Sequence, residues 1–160
     1  MSAEHLTRRL YHDDPYLTEF EATVWTAAPV AAAAGSGGKA PHAVVLDRTA
    51  FYPESGGQPC DLSDIQGIPV CGVVGVVVHV VGPVTGMSGA GGATAGAPMH
   101  PGTVVRCRID FERRFDNMQQ HLGQHILSSA FEKTLDADTV GFHLGAEYVT
   151  IDLNLGSLDE

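Results

Sequence analysis

Near residue 111 the spacing of apolar residues changes period, and that change limits what the chain can fold into. Before it, apolar residues come in short runs. Residues 103–111 read TVVRCRIDF, where Val105, Cys107 and Ile109 alternate with Val104, Arg106 and Arg108. Alternation at period two marks a half-exposed strand. Residues 16–25 hold Leu17, Phe20, Ala22 and Val24. Their alternation is imperfect, but the aromatic and β-branched content favours a strand. Residues 42–48 (HAVVLDR) suit a buried strand, and residues 73–81 read as one valine-rich strand. Between these runs lie an Ala/Gly linker at 30–41, the segment YPESGGQPC at 52–60, and a stretch at 82–102 with seven glycines and three prolines. Such segments read as turns and loops. Short strands so separated predict a small antiparallel β-barrel over residues 14–111.

After the change the period is helical. Residues 115–133, FDNMQQHLGQHILSSAFEK, place Met118, Leu122, Ile126, Leu127 and Phe131 on one stripe of a helix. Asp116 or Asn117 can cap its start. Residues 148–153 then alternate as a strand. The expected class is α+β: the barrel at 14–111, then the start of a second domain at 112–160.

Composition removes several alternatives. Hydrophobic residues make up 44% of the 160, enough for a core. The longest apolar stretch, 68–81, is interrupted by Pro69, Gly72, Gly75 and His79, so no membrane span is expected. The first ten residues carry Glu4, His5, Arg8 and Arg9 and no apolar segment, unlike a secretory signal. Cys60, Cys71 and Cys107 form no C-x-x-C pair, which argues against a disulfide framework and for a cytoplasmic setting. The net charge of -10 disfavours broad, non-specific nucleic-acid binding. Basic residues nevertheless cluster at Arg106, Arg108, Arg113 and Arg114. They could contact phosphates, or be a solvated face paired with Asp110, Glu112 and Asp116. His79, within VVVHVV, reads as a barrel histidine, and His100 carries no signal.

Two constellations carry chemistry. His121 and His125 stand four apart, so a helix projects both from one face. Two imidazoles so placed can meet on one zinc ion, or can simply be polar surface residues. Leu122 follows His121, where an H-E-x-x-H protease would need glutamate. The second constellation spans residues 48–59, RTAFYPESGGQP, with Thr49 and Gln58 flanking Gly56 and Gly57. By itself it is a tight hairpin turn whose glycines permit positive φ or close approach of another segment.

DRTAFYPESGGQP, RRFDNMQQHLGQHILSSAF and GFHLGAEYVTIDL, in that order, resemble the editing domain of alanyl-tRNA synthetases and, more closely, the free-standing alanyl-tRNA editing proteins. LYHDDPYLTEFEATV resembles the start of the free-standing type. The resemblance implies a two-layer α/β editing domain beginning at 112. It implies hydrolysis of the ester joining serine or glycine to alanine tRNA, so the partner would be alanine tRNA carrying the wrong amino acid. It implies zinc (Zn2+) held by H-x-x-x-H, here His121 and His125, and by a later C-x-x-x-H. It places Thr49 and Gln58 in the amino-acid pocket, and gives Gly56, Gly57 and the barrel a part in placing the acceptor end. Arg113 and Arg114 are the expected phosphate contacts.

The chain departs from that pattern in one place. Four residues after Cys60, Cys71 and Cys107 stand Asp64, Gly75 and Phe111, so no C-x-x-x-H exists. The simplest expectation is that the remaining ligands lie beyond Glu160. The alternatives are a metal-free relative, a site shared between chains, or His143 as a substitute ligand. A non-catalytic tRNA-binding module and a metal-binding regulator are the rival functions. Amino-acid specificity and oligomeric state are not encoded legibly.

Overall fold

Alternation along the first long strand turns Phe20, Ala22 and Val24 inward and leaves Glu19 and Glu21 exposed. This is seen in a computed structural model that describes residues 6–30, 41–75, 78–82, 99–145 and 148–155. Most of the 30–41 linker and of the 82–102 loop expected from the sequence lies outside the described residues. So do the first five and last five positions. The strands before the helix are β1 (Arg8–Arg9), β2 (Glu19–Pro29), β3 (His42–Leu46), β4 (Arg48–Thr49), β5 (Ser63–Ile65), β6 (Ile68–Val74), β7 (Val78–Val81) and β8 (Val104–Ile109). A closed barrel runs β2-β3-β7-β6-β5-β8 and back to β2, every neighbouring pair antiparallel. Closure leaves the barrel without an unpaired sheet edge. Beside it, β1 and β4 form a short parallel pair.

The core follows from the pleat. Val44, Leu46, Phe51, Ile65, Val73, Val105 and Cys107 are buried with the inward residues of β2. Each large apolar side chain so buried contributes about 1.5–3 kcal/mol relative to exposure. β8 has the alternation expected of it: Val105, Cys107 and Ile109 in, Val104, Arg106 and Arg108 out. Arg106 pairs with Glu19 at 2.5 Å and Arg108 with Asp64 at 2.7 Å, both across to neighbouring strands. These partners differ from the acidic residues expected from sequence proximity.

The strands depart from simple unbroken runs in three places. Residues 73–81 are not one strand. β6 ends at Val74, Gly75 takes φ +57°, and β7 begins at Val78, making a hairpin. A positive φ suits glycine and breaks an extended run. Second, Val70 and Val73 both face the core although they are three apart, because the β6–β7 register shifts between Val70 and Gly72. One extra residue in a bulge reverses which face the next side chains take. Third, the 42–48 run is divided. β3 stops at Leu46, and Asp47 accepts the Thr23 amide on its Oδ1 at 2.7 Å before β4 turns to β1.

The chain divides into two compact units, Met1–Pro53 with Cys60–Phe111, and Glu54–Pro59 with Glu112–Glu160. The six residues Glu54–Pro59 thus leave the barrel sequence and group with the second unit. That unit holds α1 (Phe111–Leu135), whose first residue still counts with the barrel, and the antiparallel pair β9 (Thr139–Leu144) and β10 (Val149–Leu153). No strand at 139–144 was expected.

The helix also corrects the sequence. It begins at Phe111, directly after Asp110, so Asp116 and Asn117 lie inside it and are not caps. Its expected apolar stripe is largely exposed: Leu122, Ile126 and Leu127 are 61%, 64% and 47% accessible. Buried instead are Arg114, Asn117 and Gln124. With His121 and Ser128 these fall at alternating steps of three and four, one continuous helical face. Polar groups tolerate burial when paired. Gln124 Nε2 donates to Ser128 Oγ at 2.8 Å, and Thr139 Oγ1 donates to the same oxygen at 2.6 Å. No described helix is long and apolar enough to cross a membrane.

Candidate functional site

Residues 52–60 form the turn their composition predicts. Gly56 and Gly57 take φ of +57° and +81°, and Ser55 and Gln58 exchange backbone hydrogen bonds of 3.0 and 3.2 Å across them. Positive φ at both central residues defines a tight hairpin of the primed type. On the barrel side the segment leaves and returns at a clasp. The Tyr52 amide donates to Asp61 Oδ2 at 2.6 Å, and the Asp61 amide donates to the Tyr52 carbonyl at 3.0 Å.

Within the second unit the turn is fixed to β9. The Gly57 carbonyl accepts the Leu144 amide at 2.9 Å. A Cβ at Gly57 would lie 2.1 Å from the Phe142 carbonyl oxygen, so both φ and space demand glycine. Gln58 follows at once, and its Oε1 accepts a hydrogen bond from His121 Nδ1 at 2.6 Å. The His121 ring stacks on His125 (centroids 4.7 Å, 23° between planes) and tilts against Phe142 at 5.4 Å. Burial, and secondarily His125, hold the His121 imidazole pKa below its ordinary value. His125 is exposed.

Gly56, Gly57, Gln58, His121 and His125 therefore belong to one unit, and the turn and helix meet at the Gln58–His121 bond. The two imidazoles suit zinc's preference for nitrogen donors and supply half of a tetrahedral shell. Among the described residues no third His, Cys, Asp or Glu joins the pair in a group that could hold a metal ion. His143 follows Phe142 on β9, and strand alternation points it to the face opposite His121. Arg113 is half-buried and Arg114 is buried to 1% exposure. Asn117, one turn before His121, has a buried Nδ2 with no hydrogen-bond partner. Such a donor is one a polar ligand can satisfy.

Thr49 belongs to the barrel unit and is fully buried. His79 Nδ1 lies 3.1 Å from the Val44 carbonyl, which can only accept, so Nδ1 carries the proton and Nε2 accepts. The Thr49 hydroxyl, 2.9 Å from that Nε2, is thus the donor, and its oxygen accepts the Phe51 amide at 3.1 Å. Burial pushes the His79 pKa down to about 4. His79 is the barrel histidine the sequence suggested, but its hold on Thr49 was not anticipated. Nor were Phe142, Leu144 and Asn117. The helical spacing of Asn117, His121, Gln124 and Ser128 was the signal that could have revealed the polar face.

The fold and these residues define an α+β protein in which a glycine turn buttresses a helical histidine pair. No protein-family model matches the chain. Over 149 residues it is 36% identical to the alanyl-tRNA editing protein AlaX-L of Pyrococcus horikoshii, covering 93% of this chain and 34% of that protein. It is 33% identical to AlaX-M of Methanosarcina acetivorans, covering 96% of this chain and 59% of that one. It is 34% identical to the alanyl-tRNA editing protein Aarsd1 of Mus musculus, covering 91% and 34%. Over more than nine-tenths of its length the chain is thus similar to alanyl-tRNA editing proteins, and it spans between about a third and three-fifths of the length of these relatives.

Proposed function

We propose that this chain takes part in hydrolysing the ester of alanine tRNA charged with the wrong amino acid, serine or glycine, with zinc held in part by His121 and His125. The observation that carries the reading is the Gln58–His121 bond, which joins the glycine turn to the H-x-x-x-H helix in one unit. In this reading α1 and β9–β10 begin a two-layer editing domain, and further ligands complete the shell.

Ester hydrolysis needs a positioned water and stabilisation of negative charge on the carbonyl oxygen. Zinc, when bound, supplies Lewis-acid polarisation of the carbonyl and activation of water. The chain's own residues do the rest. His121 and His125 present imidazole nitrogens from one helix face. Gly56 and Gly57 let backbone approach the acceptor end closely. Arg113, half-buried at the start of α1, adds positive charge for the acceptor phosphates, whereas the guanidinium of Arg114 is enclosed and is not a direct phosphate contact. Thr49, expected in the amino-acid pocket, is fully buried in the barrel unit and donates its hydrogen to His79, so a serine hydroxyl would meet it only if its one remaining lone pair became accessible. Alanine has no such donor, and a site built for a hydroxyl discriminates strongly against its absence.

The test is serine release from seryl-alanine-tRNA by this chain, with zinc added and with zinc chelated, for the wild type and His121→Ala. Zinc-dependent release that His121→Ala abolishes is the expected result. Release that survives both chelation and the substitution refutes the metal role. A second reading, a tRNA-binding module without catalysis, is favoured by the lack of a third ligand among the described residues. Salt-dependent binding of alanine tRNA without serine release would establish it.

A further inference from the structure

We infer that Gln58 is a positioning residue for His121: its side-chain oxygen fixes the imidazole as the Nδ1–H tautomer and leaves Nε2 bare to face a metal ion. The tautomer half of this inference stands on geometry alone. The metal half rests on the zinc reading proposed above.

The geometry is closed at each link. Gln58 Oε1 lies 2.6 Å from His121 Nδ1. An amide oxygen can only accept, so the ring nitrogen facing it must carry hydrogen. In a neutral imidazole the other nitrogen, Nε2, then has a free lone pair. Neutral imidazole in water prefers the opposite tautomer, so this arrangement is imposed by the protein. The ring cannot easily turn away, because His125 stacks on it and Phe142 packs against it.

Gln58 can impose this because it is itself held. Its backbone is paired with Ser55 across the two glycines, and the Gly57 carbonyl is bonded to the Leu144 amide. Side chain and backbone together run from β9 through the turn to the helix. A metal-bound histidine commonly gives its second N–H to such an oxygen, which orients the ring and makes its free nitrogen more basic. Gln58 thus acts through His121, and nothing in this role requires it to touch the amino acid.

The test uses the 160-residue chain, 15N-labelled at histidine, with zinc as the probe in competition with a chromophoric chelator. In the metal-free protein at pH 8, the imidazole spectrum of His121 should show the Nδ1–H form. Gln58→Leu should lose that form and weaken zinc binding about 10- to 100-fold, the usual effect of removing such a partner. Gln58→Glu, which keeps an acceptor oxygen in place, should restore both. A merely structural role would not predict that rescue. An Nε2–H spectrum in the wild type overturns the inference, since the amide would then face the ring with its nitrogen. Unchanged tautomer and affinity in Gln58→Leu overturn it too. His121→Ala separates the two readings. If that variant loses zinc while Gln58→Leu does not, the zinc reading survives and the role of Gln58 fails. If His121→Ala binds zinc unchanged, the zinc reading fails, and the tautomer spectrum alone judges Gln58.

Discussion

The barrel and the helix bury opposite kinds of side chain. Inside the barrel lie aliphatic and aromatic residues with one satisfied histidine. The helix turns Arg114, Asn117 and Gln124 inward and leaves Leu122, Ile126 and Leu127 in the open. In the first region burial follows transfer from water, which is non-directional and needs only the right period. In the second the buried groups are polar and directional: Gln124 has its partner in Ser128, and the Asn117 Nδ2 is left without one.

If that contrast is correct, truncation in the barrel should have the largest effect. Phe51 is fully buried with its ring edge-on to Phe20 and His79. Phe51→Ala should cost about 3–5 kcal/mol in urea unfolding, the range for large aromatic deletions. A loss under 1 kcal/mol would mean the barrel core is not what holds this unit.

The next effect concerns His79, the buried histidine of the barrel. His79 titrates at about 4 when folded against 6.5 ordinarily, chiefly because burial disfavours its charged form. Below pH 6.5 the unfolded chain takes up a proton that the folded chain does not. Stability should therefore fall as pH drops from 6.5 to 4, by roughly 3 kcal/mol over the window, and level off below it. Urea midpoints against pH should show this component in the wild type and lack it in His79→Gln. Equal slopes in the two would remove the buried neutral histidine from the account.

Gly57→Ala comes third. At φ +81° with the Phe142 carbonyl in the way, it should cost at least about 1–3 kcal/mol. It should also disturb the His121 imidazole spectrum, whereas Gly56→Ala, whose Cβ meets nothing within 4 Å, should cost less. The smallest effect is expected where the sequence pattern promised a large one. Leu122→Gln should change stability by no more than about 0.5 kcal/mol, as at exposed positions generally. A loss of 2 kcal/mol or more would show that this face is covered.

The contrast also explains what the sequence disclosed. The alternation at Val105, Cys107 and Ile109 and the glycine turn at 56–57 were legible because each depends on a local rule. The hairpin at Gly75 was hidden because valine is equally at home on both of its arms. The bulge after Val70 was hidden because register is a property of two strands, not one. The helix stripe misled because Leu122 and Ile126 match the helical period as well as Asn117, His121 and Gln124 do. Only the distant partners Gln58 and Thr139 decide between those faces, and they lie outside any local window. The link from Thr49 to His79 spans 30 residues and is invisible for the same reason.

The grouping of Glu54–Pro59 with the second unit makes that unit discontinuous, and this bears on how the chain is born. The turn is synthesised 63 residues before the histidine it supports. At about 5–20 residues per second, roughly 3–13 s pass on the ribosome before His121 follows Gln58. Through that interval the barrel strands can pair, but the turn emerging among them has no seat. The second unit is completed only by reaching back for it, so assembly of the histidine site is by construction a late event.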